Sequence, residues 1–244
     1  MITVRNLTKE FKTITAVDDV SFEVRKGEIF GLLGPNGAGK TTTQRMLSTI
    51  LRPTSGTINI MDVDVVKNPV GARSIIGVIT EERGLYDRLS CRETLWYYGR
   101  LYNMEDGLIG KRIDQIVEML EMGDYVDRRI EKLSKGMKQK IVIARAIIHD
   151  PPVLLFDEPT AGLDVLAART VLKFIKMSKE MKKTILYSTH IMFEAEDLCD
   201  RVAFISKGKI VVSGTMKEAI GPHENLEKAF VKYVGAKKDE FQDN

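Results

Sequence analysis

Cysteine, histidine and tryptophan are scarce in this chain of 244 residues, at two, three and one. The two cysteines, Cys91 and Cys199, stand far apart and form no C-x-x-C pair. That argues against a disulfide framework or a zinc site, and it fits a reducing cytoplasm. Long apolar runs are missing too. The most apolar stretch, residues 141–156, is broken by Arg145, His149, Asp150 and two prolines, so no segment approaches the ~18 residues a membrane-spanning helix needs. Met1-Ile2-Thr3-Val4-Arg5 lacks the apolar centre of a signal peptide. The expectation is a chain that neither spans a membrane nor is exported, and that is held by a partner if it works at one. An excess of one charge is also absent. Lys and Arg number 37 against 34 Asp and Glu, a net charge of +3 with no long basic stripe, so nucleic acid is not an expected partner. No repeat or low-complexity segment is present, and the apolar and charged fractions, 43% and 29%, are those of an ordinary globular protein.

What is present is more specific. Residues 34–41 read Gly34-Pro35-Asn36-Gly37-Ala38-Gly39-Lys40-Thr41, which fits G-x-x-x-x-G-K-[ST]. A buried-strand run, Ile29 to Leu33, precedes it and a helix-compatible run, Thr41 to Ile50, follows. That context suits a loop whose glycines let backbone N–H groups converge on an anion, with the helix N-terminus adding partial positive charge. Lys40 would reach the β- and γ-phosphates and the Thr41 hydroxyl would ligate Mg²⁺, so the implied ligand is a nucleoside triphosphate with magnesium.

Residues 2–6 and 20–25 alternate apolar and polar and read as half-exposed antiparallel strands, and Thr57 to Met61 reads as another alternating strand. Ser74 to Ile79, Val153 to Phe156, Thr184 to Ser188, Val202 to Ile205 and Ile210 to Val212 read as strands. Leu166 to Lys183 reads as a helix between two of them, the alternation of a parallel α/β sheet. From about 91 to 148 the pattern is helical instead. The expected fold is α/β: a P-loop NTPase core over about 1–83 and 151–221, mostly parallel, with an antiparallel β subdomain near the N-terminus. A helical subdomain is inserted at about 84–150, and a helical tail covers about 222–244.

Val153 to Phe156 ends in Asp157-Glu158. Ligands of parallel sheets sit beyond the carboxyl ends of the strands, so this acidic pair would face the P-loop. Asp157 is placed to hold Mg²⁺ and Glu158 to deprotonate an attacking water, although strands do end in solvated acids. His190 follows the strand from Thr184 to Ser188 and would reach the same edge, to bond the γ-phosphate or the water; a lone histidine is otherwise structural. Leu133-Ser134-Lys135-Gly136-Met137 opens a helix. Ser134 reads as its N-cap, or alternatively as a phosphate-binding turn that a second copy of the chain would supply.

The ordered set Gly34–Thr41, Leu133–Met137, Asp157-Glu158, Ala161-Gly162-Leu163-Asp164 and His190 resembles the ATP-binding cassette of ABC transporters over nearly the whole chain. The Leu-Ser-x-Gly-x signature is particular to that family among P-loop proteins. The resemblance implies that Phe11 stacks on adenine and that Asn36 to Thr42, including Thr42, wrap the phosphates of ATP. It implies that Ser134 and Gly136 contact the γ-phosphate held by the opposite subunit, that Asp157 serves magnesium, and that Glu158 is the general base. His190 becomes the switch histidine, Lys40 the phosphate lysine, and Asp164 part of the dimer-crossing loop. Where the family usually has glutamine, the segment ending Ile79-Thr80-Glu81 offers Glu81 as a magnesium ligand, or Glu82 if the alignment slips by one. Leu-Ser-Lys-Gly-Met-Lys-Gln-Lys looks like the branch of sodium-export and drug-resistance ATPases, whose permeases are separate chains. The implied protein is an ATPase that dimerises head to tail around two MgATP and drives an export permease from the inner face of the cell membrane. Arg83 to Leu89 would dock that permease, while Trp96, Tyr97, Tyr98 and Tyr102 read mostly as core. A single cassette without sustained heptads sets the chain apart from translation-type and repair-type members but not from a soluble cluster-assembly scaffold, and no Asn-Lys-x-Asp run suggests a GTPase.

Overall fold

The computed structural model describes residues 1–80 and 84–239. Two sheets form its frame. One is antiparallel, in the order β2-β1-β4-β5, from β1 (Ile2–Phe11), β2 (Ile14–Val24), β4 (Ser55–Ile60) and β5 (Val63–Asp64). The other has six strands in the order β10-β9-β3-β8-β7-β6. These are β3 (Ile29–Leu33), β6 (Ile76–Thr80), β7 (Val153–Asp157), β8 (Thr184–Thr189), β9 (Arg201–Ser206) and β10 (Lys209–Thr215). All neighbours in it are parallel except β9 and β10, which form an antiparallel hairpin.

Every residue of β3, β7 and β8 is buried, so these strands read as apolar runs rather than alternations. Their two faces serve different cores, because successive side chains point to opposite sides. Phe30, Leu32, Leu155 and Leu186 pack toward the antiparallel sheet and helix α1 (Lys40–Leu47), with Phe22 stacked on Phe30 at 5.4 Å. Ile29, Leu33, Phe156 and Tyr187 pack toward the helices on the other side. That side includes α3 (Cys91–Leu101), α4 (Asp106–Met119), α5 (Lys135–Ile147), α6 (Val165–Glu180) and α7 (Met192–Leu198). A short α2 (Pro69–Ser74) precedes β6, and α8 (Met216–Ile220) and α9 (Leu226–Asp239) follow β10.

The sequence reading extends Ser74 to Ile79 as one strand; in the structure Ser74 instead closes α2. Asn68 caps that helix by accepting from Gly71 N–H at 2.9 Å, and Pro69 sits in its first turn, both ordinary start signals. Trp96, Tyr98 and Tyr102 pack against the core as expected, whereas Tyr97 is exposed. No helix among the described residues is long and apolar enough to cross a membrane.

His149 ends the helical insert and stacks on Tyr102 at 3.6 Å, donating from Nε2 to the Ile76 carbonyl at 3.1 Å. Burial pushes its pKa down from 6.5 to about 4, against the opposing pull of the Ile76 bond. The unfolded chain therefore binds a proton between pH 6.5 and about 4 that the folded chain refuses. The resulting stability is complete above the unfolded value and is lost as pH falls through that window. In His149→Phe, which keeps a ring against Tyr102, the melting temperature should fall less steeply with acid over the same window. Equal slopes in variant and wild type would contradict the assignment.

Candidate active site

The parallel register brings the chemistry-bearing strand ends to one edge. Asp157 pairs with Ser188 on one side and Thr80 on the other, and Leu33 pairs with Thr189. Gly34 leaves β3 there, its N–H reaching the Thr189 carbonyl at 3.4 Å. Two glycines are demanded by geometry. A Cβ on Gly34 would lie 2.3 Å from the Ile205 carbonyl oxygen, and one on Gly39, at φ +108°, would lie 2.6 Å from the Ala16 carbonyl oxygen. The loop is thus drawn tight against backbone, and α1 begins directly behind it with its first N–H groups at the loop.

Lys40 is 3% exposed. Its Nζ donates to the carbonyls of Gly34 (2.7 Å) and Pro35 (3.0 Å) and pairs with Glu158 Oε1 at 3.0 Å. The other Glu158 oxygen accepts from His190 Nδ1 at 2.9 Å. Glu158 thereby joins the phosphate-loop lysine to the histidine. It holds φ +46°, a left-handed conformation uncommon outside glycine, and its N–H is tied to the Ser188 carbonyl at 3.1 Å. His190 is exposed beside it.

Asp157 is buried and accepts from Ser188 Oγ at 2.6 Å and from Thr41 Oγ1 at 3.3 Å. Burial raises its pKa, with the two hydroxyls pulling the other way. A cation placed there would offset the cost of burying the carboxylate. Among the described residues no group of three or more His, Cys, Asp or Glu side chains could hold a metal. A carboxylate and a hydroxyl, both hard oxygen donors, instead suit Mg²⁺ completed by phosphate and water. Thr80 lines the same cleft; Glu81 and Glu82, called for magnesium from the sequence, lie outside the described residues.

The cleft holds about 690 Å³. Asn36, Gly37, Gly39, Lys40, Thr41 and Thr42 line it, together with Asp157, Glu158, Phe11, Ile14 and Ala16. Gly34, Pro35 and Ala38 shape the loop without lining the cleft. Phe11 is 44% exposed, with Lys9 Nζ over its ring 5.2 Å from the centre. Ser134 and Gly136 are not brought here. Ser134 caps α5, accepting from Met137 N–H at 3.2 Å, and both residues line a separate groove with Asp164 and Ala167. Lys135 Nζ bonds the Gly162 carbonyl beside that groove. Sequence reasoning missed Ser188 and Gln44, whose Nε2 donates to the Phe156 carbonyl at 2.9 Å. A hydroxyl two residues before His190 at the end of a buried strand was the available signal for Ser188.

A strand, glycine loop and helix facing an acidic pair at the carboxyl edge of a parallel sheet define a P-loop nucleoside triphosphatase. The sequence pattern of the ABC transporter family matches residues 17–161. The ABC transporter ATP-binding protein NatA of Bacillus subtilis (strain 168) is 45% identical over 222 residues, 89% of this chain and 90% of that relative. The linearmycin resistance ATP-binding protein LnrL of the same organism is 37% identical over 88% of this chain and 69% of its own length. Among solved structures, the dimeric ATP-binding cassette MJ0796, in a post-hydrolysis state bound to ADP and Pi, superposes with a TM-score of 0.79. It is 25% identical, over 88% of this chain and 98% of that one. The chain belongs to the ABC transporter family and is the ATP-binding, ATP-hydrolysing subunit of such a transporter.

Proposed function

We propose that two copies of the chain, or one copy and a homologous subunit, clamp two ATP molecules head to tail and drive a separate export permease. The observation that carries the reading is a split site. The phosphate loop, Asp157 and Glu158 share one cleft, with His190 bonded to Glu158 beside it, while Ser134 and Gly136 line another groove of the same protomer. A helix start with a free face at Ser134 suits the γ-phosphate bound by a second copy.

In this reading Lys40 and the N–H groups of residues 36–42 hold the phosphates, and Phe11 offers its ring to the adenine. Thr41 and Asp157, with Glu81, hold Mg²⁺, which when bound neutralises phosphate charge. As Lys40 engages the phosphates, a Glu158 oxygen is released to take a proton from the attacking water. His190, bonded to the other oxygen, keeps Glu158 aimed at that water. Closing the pair and reopening it after hydrolysis is the two-state change that moves the permease.

The whole chain forms one cassette in this reading, with its helical insert bearing the docking surface. Exposed Tyr86, edge-on to exposed Tyr97 at 6.0 Å, supports the segment Arg83 to Leu89, of which Arg83 lies outside the described residues, as the place where the permease sits. The signature Leu133 to Lys140 and the resistance function in LnrL's name support the sodium-export and drug-resistance branch. A peripheral position on the cytoplasmic face of the membrane follows from a permease partner. Light scattering of the Glu158→Gln variant should report a dimer on adding MgATP; a monomer at saturating ATP would contradict the clamp.

A further inference from the structure

Thr160, Tyr187 and Glu194 come from three different elements and meet inside the protein. Their exposures are 6%, 0% and 3%. Glu194 Oε2 accepts from Tyr187 Oη at 2.5 Å and from Thr160 Oγ1 at 3.0 Å. A buried carboxylate is costly unless it is hydrogen-bonded, so this acceptor needs both donors and holds them in turn. Burial and the adjacent carboxylate keep the Tyr187 phenol protonated, as a donor.

Each of the three lies within four residues of the active site in sequence. Tyr187 precedes Ser188, which bonds Asp157. Thr160 lies two residues after Glu158, in the turn that leads to Asp164. Glu194 lies four residues after His190, on α7, a helix with no side-chain cap at its start. The same turn is held from its other side, where Gln139 Nε2 of α5 donates to the Pro159 carbonyl at 3.3 Å. Glu158 opens this turn at φ +46°, a conformation that persists only where the surroundings enforce it.

We propose that Glu194 is a positioning residue for hydrolysis: its buried carboxylate, bonded to Tyr187 and Thr160, fixes the 158–164 turn against α7 so that Glu158 meets His190. The inference rests on Glu158 being the general base. It makes the turn a bridge between α5, which Ser134 caps, and the helix that follows His190. A shift of α7 reaches the turn through the Glu194 oxygen, and a shift of α5 reaches it through the Pro159 carbonyl.

The test is ATP turnover, KM and melting temperature of the purified full chain. Thr160→Val removes the hydroxyl that ties the turn to α7 and leaves Glu194 bonded to Tyr187. Its kcat should fall about tenfold, the order expected from a misplaced catalytic group, with KM for ATP unchanged and with the chain still fully folded at the assay temperature despite the lost bond. Thr160→Ser, which keeps the hydroxyl, should restore turnover. Glu194→Gln keeps an acceptor oxygen and should stay near wild type, while Glu194→Ala should lose about a hundredfold. Wild-type turnover in Thr160→Val would overturn the proposal, as would a loss that only tracks a lowered melting temperature. Glu158→Gln measured alongside separates the two readings. Normal hydrolysis there would remove the base itself, whatever the Thr160 variants do.

Discussion

Glu158→Gln should hydrolyse ATP about 10²–10⁴-fold more slowly than wild type, the usual contribution of a general base, while binding ATP with undiminished affinity. Glutamine has the same shape, and its carbonyl oxygen can still accept from Lys40 or His190. What it lacks is the capacity to take a proton from water. The distances make the variant informative, because Glu158 touches Lys40 at 3.0 Å and His190 at 2.9 Å and so also has a structural part. If that part were its whole contribution, the amide would serve nearly as well. Steady-state turnover beside equilibrium binding of ATP separates the cases, and unchanged turnover would remove Glu158 from its role.

Lys40→Ala should weaken ATP binding by at least ten- to a hundredfold. Its amine is nearly enclosed, and three oxygens, from Gly34, Pro35 and Glu158, hold it at the mouth of the loop. A hydrogen bond to a charged group contributes about 1.5–3 kcal/mol, and each 1.4 kcal/mol is tenfold in affinity. The variant also leaves Glu158 without its cation beside an incoming polyanion, which adds repulsion to the lost attraction. Titration with a fluorescent ATP analogue measures the effect; wild-type affinity would contradict the phosphate assignment.

Much of this site is legible in the sequence because its parts are written locally. The glycine loop, Asp157-Glu158 and His190 each close or follow a buried strand, and a parallel sheet delivers such ends to one edge. What was not legible depends on register between distant segments. Ser188 meets Asp157 only because β7 and β8 pair Asp157 with Ser188, and Gln44 reaches Phe156 only because α1 lies over β7. The Thr160–Tyr187–Glu194 contact joins residues up to 34 apart in sequence, with no motif to announce it. Helix α7 escaped notice because Ile191 gives its start no side-chain cap, and α2 because its start signals, Asn68 and Pro69, resemble a loop. Ser134 is the instructive case. Its motif pointed to phosphate, and its place in the fold is away from the chain's own phosphate loop, where a capped helix start is all that one protomer makes of it.

The measurement that bears most directly on the whole account is a structure of the Glu158→Gln variant with MgATP. The account predicts two antiparallel copies, with Ser134 of each within hydrogen-bonding reach of the terminal phosphate held by Lys40 of the other. A single protomer binding ATP with Ser134 facing solvent would contradict it.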